Sequence, residues 1–182
     1  MTPRKTPASD ASLHEDLYDQ PGHLLRRAHQ IAMGMFADLV GPDITPTQFA
    51  ILRMVLEQPG IDQVSLAKLI ALDNSTAAQT AVRLEKRGLL SRQVSETDRR
   101  LLSLTLTESG ERLLQQTLDG VHTMRTRLLS PLNPQERAIF MELLAKFVQL
   151  NNQESRAPLQ SGKAPAKTAP ATALSAPNKR SA

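Results

Sequence analysis

Residues 62–106 read DQVSLAKLIALDNSTAAQTAVRLEKRGLLSRQVSETDRRLLSLTL. Two short helical patterns lead, and two β-patterned runs come next around a charged turn. Asp62 is placed to cap the first helix, and Leu66, Ala67, Leu69 and Ile70 give it an apolar side. Leu72-Asp73-Asn74 breaks the pattern, and Asp73 or Asn74 suits the cap of the next helix. That second helix is expected from about Ser75 to Arg87. Ala77, Ala81 and Leu84 turn inward in it; Ser75, Thr76, Gln79, Thr80 and Arg83 turn outward. Gly88 stands where a helix stops in a left-handed residue. Leu89 to Val94 then reads as a strand and residues 95–100 as a polar turn. Leu102, Leu104 and Leu106 alternate with Ser103 and Thr105 in a second strand. Helix, turn, helix and a basic-tipped hairpin make a winged helix-turn-helix. Its second helix can enter a DNA major groove while the hairpin reaches the backbone or minor groove.

Working outward, the chain has 182 residues, of which 40% are hydrophobic, 3% aromatic and none cysteine. Leu, Ala and Met must fill the core, which suits a mainly helical fold. Without cysteine there are no disulfides or thiolate metal sites. No run approaches the ~20 apolar residues that span a bilayer, and residues 1–5 lack a signal peptide's apolar run, so a cytoplasmic protein is expected. The net charge of +4 misleads. After Glu154 come five basic residues (Arg156, Lys163, Lys167, Lys179, Arg180) and no acid, which leaves the rest near −1. The local balance is better: Arg83 to Arg100 holds six basic residues and three acids.

Residues 1–9 read as a flexible start and Ala11 to Tyr18 as a short helix. Pro21 begins a longer helix in which Leu24, Ala28, Ile31, Met35 and Leu39 form one stripe beside Leu25, Ala32 and Phe36. A doubled stripe predicts burial on two sides, in the core and against a second copy. Gly41-Pro42-Asp43 ends it. Thr45-Pro46 opens the next helix, with Phe49, Leu52, Val55 and Leu56 inward, and Pro59-Gly60 closes it. Thr107 caps a helix from about Glu108 to Leu129. Asn133-Pro134-Gln135-Glu136 starts the last one. Residues 10–152 thus form one domain. Its DNA-binding unit spans about 45–106, flanked by dimerisation helices at about 10–40 and 107–152. Residues 153–182, rich in Ala, Pro, Lys and Ser, are too poor in apolar surface to fold.

The chain resembles the MarR family of bacterial transcriptional regulators over residues 20 to 150. The similarity rests on Thr47-Gln48-Phe49-Ala50-Ile51-Leu52, Ser65-Leu66-Ala67, Arg83-Leu84-Glu85-Lys86-Arg87-Gly88-Leu89, Asp98-Arg99-Arg100, Leu106-Thr107 and Gly110. It implies a homodimer on a palindromic operator, with Ser75, Thr76, Gln79, Thr80 and Arg83 at bases or phosphates. Asp98 is expected to orient Arg100 toward the minor groove, with Arg99 beside it. Where many members carry a bulky apolar residue, then Thr and Arg, this chain has Ala77-Ala78-Gln79, so their operator sequences are not expected to transfer.

The four histidines (His14, His23, His29, His122) show no metal-ligand spacing, and neither a metal nor a cofactor is expected. In the resembling family small aromatic acids bind between the first, second and fifth helices. That implies a pocket with His23, Arg26 and His29 on one helix as carboxylate donors. Met33, Phe49 and Leu52 would be its walls, and Tyr18, Arg53 and Arg112 lie at its margin. The whole sequence looks most like the nicotinate-catabolism repressors of that family, whose inducer is 6-hydroxynicotinate. No nucleophile–base pair, acid pair or phosphate loop points to an enzyme. A ligand-independent architectural DNA binder is the alternative.

Overall fold

The structure is a computed structural model and describes residues 17–95 and 98–160. Among them the α-helices are α1 (Pro21–Val40), α2 (Pro46–Glu57), α3 (Gln63–Leu69), α4 (Asn74–Lys86), α5 (Glu108–Leu128) and α6 (Pro134–Leu150). The strands are β1 (Ile61–Asp62), β2 (Leu90–Val94) and β3 (Leu102–Leu106). The fold is mainly α, with a winged helix-turn-helix at its centre. No helix among the described residues is long and apolar enough to cross a membrane.

Local capping chemistry fixes most helix starts. Thr45 and Gln48 close a capping box on α2, and Asn133 and Glu136 close one on α6. The Asp62 carboxylate accepts from the amides of Val64 and Ser65, both at 2.9 Å. Asp73 caps α4 by accepting from the Thr76 amide at 2.8 Å and the Thr76 hydroxyl at 2.6 Å. Of the two candidates for that cap, Asp73 is the one used. Between α3 and α4, Ala71 has φ +53°, and Gly88, just past α4, has φ +69°.

The expected hairpin is present, with Leu90 opposite Leu106 and Val94 opposite Leu102. It gains β1, whose Ile61 pairs with Leu104, giving the order β1-β3-β2. Two residues are too few to show a periodicity. The core gathers Ile51, Leu52 and Val55 of α2, Leu66 of α3, Leu84 of α4, Leu90, Leu104 and Leu114.

α1 packs along α5, and α5 holds two glycines at close approaches. A Cβ on Gly110 would overlap the Leu89 carbonyl, and one on Gly120 would overlap the Leu39 carbonyl. At Gly120 α1 and α5 therefore meet backbone to backbone, and at Gly110 α5 meets the backbone that links α4 to β2.

Two expectations need correction. Thr80 faces inward: it is 9% exposed and its hydroxyl donates to the Thr76 carbonyl at 2.7 Å. The short helix expected at Ala11 to Tyr18 lies mostly outside the described residues, which begin with a 3-10 turn at Leu17–Asp19. Residues 153–160 do not trail away. A 3-10 turn at Asn152–Glu154 leads them back, and the Gln160 amide donates to the Lys68 carbonyl at 3.0 Å. Hydrogen bonds between Asn152 and Leu159 and from Gln160 to Lys68 hold this stretch. Residues 1–16 and 161–182 lie outside the described residues.

Candidate nucleic-acid interface and effector cleft

α4 presents Ser75, Thr76, Gln79 and Arg83, all on its outer side. The Gln79 amide donates to the Ser75 hydroxyl at 3.3 Å, so both groups sit on one outer face, within the first two turns of the helix. Gln can pair with adenine and Arg with guanine in a major groove. Thr80 leaves this set. It lies three residues after Ala77 and four before Leu84, the spacing of the inner face, a signal already present in the sequence.

At the wing tip Asp98, Arg99 and Arg100 are exposed. The Asp98 carboxylate accepts from the Arg100 main-chain amide at 2.9 Å. It orders Arg100 through the turn's backbone.

Two of the cations counted toward DNA are used inside the molecule. Arg92 of β2 donates to Glu85 of α4 through Nε at 2.8 Å and Nη2 at 2.7 Å. Arg87, the C-cap of α4, donates to the Asp43 carbonyl at 2.6 Å and to Gln48 at 3.4 Å. These two hold the reading helix against the wing and against the α1–α2 loop. Sequence analysis assigned neither role: Arg87 and Asp43 are 44 positions apart, and Arg92 and Glu85, seven apart, lie on different elements.

Both caps of the helix-turn-helix carry lowered carboxyl pKa values. For Asp62, burial opposes the charge, but hydrogen bonds from the Ser65 side chain and the Ser65 and Val64 amides outweigh it. For Asp73 the Thr76 hydroxyl leads and the Thr76 amide adds to it.

A cleft of about 370 Å³ opens between α2 and α5, lined by Phe49, Arg53, Leu56, Glu111, Leu114, Gln115 and Leu118. That volume suits a small organic ligand. Of the expected pocket residues the structure brings Phe49 and Arg53 together here. Leu52 is fully buried in the core and cannot face a ligand there. Arg112 is turned aside onto Glu108 at 2.7 Å and Ser109 at 3.0 Å. Tyr18 stacks edge-on to His23, with ring centroids 5.5 Å apart, and Arg26 bonds to Gln30 at 3.0 Å. These three and the exposed His29 form a separate group toward the start of α1, and Met33 is half-buried nearby. None of these five lines the α2–α5 cleft. Glu111, Gln115 and Leu118 were absent from the sequence-based set; only their place on the fifth helix marked them.

An exposed polar helix face, a basic wing and a cleft between α2 and α5 define a winged-helix DNA-binding regulator. The family model that matches residues 44–102 is the MarR family. The chain is 32% identical over 149 residues to the HTH-type transcriptional repressor NicR of Pseudomonas putida, covering 80% of this chain and 94% of that one. Among solved structures it resembles the transcriptional repressor CouR bound to a 23-mer DNA duplex, with a TM-score of 0.68 and 30% identity. That match covers 72% of this chain and 94% of CouR. It also resembles Bordetella bronchiseptica BpsR, whose DNA binding is regulated by 6-hydroxynicotinic acid, with a TM-score of 0.64 and 33% identity. There 69% of this chain and 96% of BpsR are covered. The chain belongs to the MarR family of transcriptional regulators, a regulatory class and not an enzymatic one.

Proposed function

We propose that the protein is a cytoplasmic, homodimeric repressor. It holds a palindromic operator through Ser75, Thr76, Gln79 and Arg83 in the major groove and Arg99 and Arg100 at the wing. A small aromatic acid releases it, and 6-hydroxynicotinate is the first candidate. One observation carries the effector reading: Arg53 of α2 and Glu111 of α5 line the same cleft together with the apolar Phe49, Leu114 and Leu118. A flat ring with a carboxylate at one end and a hydroxyl or N–H donor at the other matches that arrangement. The carboxylate takes Arg53, which now bonds Glu57 at 3.0 Å. The donor takes Glu111. A plain benzoate would lack the second contact.

Dimerisation is supported by α6, which buries no residue within its own chain. Phe140, Leu143, Phe147 and Val148 are 44–58% exposed on it, an apolar surface that a second copy would cover. Two copies must set their reading helices about one helical turn of DNA apart, ~34–36 Å. A ligand wedged between α2 and α5 that favours another spacing weakens DNA binding, and DNA weakens ligand binding by the same factor.

The test starts with a duplex selected by the purified protein from a random-sequence pool. 6-Hydroxynicotinate, nicotinate, benzoate and 4-hydroxybenzoate are then titrated against the complex. The hydroxylated acids should lower affinity by about 5- to 150-fold. Arg53→Gln should raise the concentration needed for release and leave DNA affinity near normal. If Arg26→Ala or His29→Ala does this and Arg53→Gln does not, the effector sits toward the start of α1. If no acid acts, the architectural alternative gains.

A further inference from the structure

Packing holds α6 weakly. It buries none of its residues within its own chain, and Arg137 and Leu144 are its half-buried ones. Past its end, residues 151–160 fold back as a strap. The Asn152 side-chain amide donates to the Leu159 carbonyl at 3.1 Å, and its oxygen accepts from the Leu159 amide at 2.8 Å. Leu159 lines a groove with Met141, Leu144 and Val148 of α6. One residue on, the Gln160 main-chain amide donates to the Lys68 carbonyl at 3.0 Å.

Lys68 lies in the last turn of α3, the first helix of the helix-turn-helix. The last carbonyls of a helix have no partner further along it. Here the Leu66 carbonyl takes the Ile70 amide at 3.1 Å and the Ala67 carbonyl takes the Leu72 amide at 2.9 Å. The Lys68 carbonyl takes the strap. The turn that these bonds close contains Ala71 at φ +53°, a left-handed conformation that a side chain disfavours and glycine usually supplies. Two residues later Asp73 caps the reading helix. The strap thus grips the end of α3 where the chain turns, against its own preference, into α4.

We propose that the strap is a positioning element for base reading. Through Asn152, Leu159 and the Gln160 amide it ties the helix-turn-helix to the end of α6 and keeps α4 in one orientation. It acts through α3 and needs no contact with DNA. Loosening it lets α4 settle in the groove in more than one way, which forfeits base-edge contacts before phosphate contacts. The inference rests on base reading by α4 and concerns how α4 is held.

The experiment compares full-length chains carrying Gln160→Pro, Gln160→Ala, Asn152→Ala or Leu159→Ser with the wild type. Proline has no N–H, so Gln160→Pro removes the donor and Gln160→Ala keeps it. The first readout is amide hydrogen exchange across residues 66–76. The second is the ratio of Kd for random-sequence duplex to Kd for a duplex selected from a random pool. Gln160→Pro should speed the exchange and lower the ratio by about 2- to 10-fold, the equivalent of one net hydrogen bond. Its Kd for random duplex should stay near the wild-type value. Asn152→Ala and Leu159→Ser should move both readouts the same way, and Gln160→Ala should match the wild type. Faster exchange with a wild-type ratio overturns the positioning role. Wild-type exchange in Gln160→Pro, Asn152→Ala and Leu159→Ser overturns the tie itself. A wild-type chain that binds both duplexes equally overturns base reading by α4, and the strap's part in it.

Discussion

Glu85 of the reading helix and Arg92 of the first wing strand are joined through a single carboxylate oxygen, which accepts from two guanidinium nitrogens at 2.8 and 2.7 Å. Their side chains are only 35% and 20% exposed, so water screens the pair less than an open surface pair. The ion pair ties the last turns of α4 to the first strand of the wing.

Arg92→Ala and Glu85→Gln should each cost about 1 kcal/mol of stability. Both should also weaken DNA binding, although neither group is assigned to DNA. The check is a double-mutant cycle by urea melting together with DNA titrations. If the two stability losses simply add, the pair is not coupled.

Gln79→Ala should change which sequences are preferred, at roughly 1–3 kcal/mol at one base position. Arg100→Ala should weaken all duplexes and flatten the salt slope by about one unit. Thr80→Val, which keeps the buried shape and removes only the hydroxyl bonded to Thr76, should leave sequence preference unchanged. Selection from a random pool with each variant reads all three, and an altered preference for Thr80→Val would return it to the groove.

The caps give a pH signature. The carboxyls of Asp62 and Asp73 are lowered in the folded chain. Their contribution is complete above their unfolded-state values, near pH 4, and is lost as pH falls through the lower folded-state values. Asn caps a helix about as well as Asp. Asp62→Asn and Asp73→Asn should therefore keep stability at neutral pH and flatten its decline below about pH 4. Urea melts at neutral and acid pH would show it. Parallel curves for wild type and variants would refute it.

The exposed face of α6 predicts a dimer at micromolar concentration by sedimentation. Leu143→Arg with Phe147→Arg should yield monomer and lower the melting temperature. A wild-type chain that sediments as a stable folded monomer would remove the dimer from the functional reading.

The winged helix was legible in sequence because its determinants are local. Asp62, Asp73, Thr107 and Asn133 announce helix starts within three residues of where they act, and Leu102, Leu104 and Leu106 alternate as a strand must. The outer face of α4 was legible except at Thr80, where a polar side chain outweighed a spacing that already placed it inside. Partnerships across the chain were not legible. Arg87 reaches Asp43, Arg92 leaves the DNA-facing set for Glu85, and Gln160 returns to Lys68. No periodicity encodes these. The α2–α5 cleft was half legible: Phe49 and Arg53 of its lining stood in the sequence-based set, whereas Glu111 and Gln115 depend on how α5 lies against α2.

Gly110 and Gly120 give α5 the mechanics of a beam on two supports. Ten residues separate them, a span of about 15 Å along the helix. At the first support α5 bears on Leu89, the joint between reading helix and wing; at the second it bears on Leu39, near the end of α1. Without side chains between the backbones there is no compliant layer to absorb a push. A displacement of α5 beyond Gly120, toward α6, therefore meets no side-chain layer at either support that could take it up by rotamer changes.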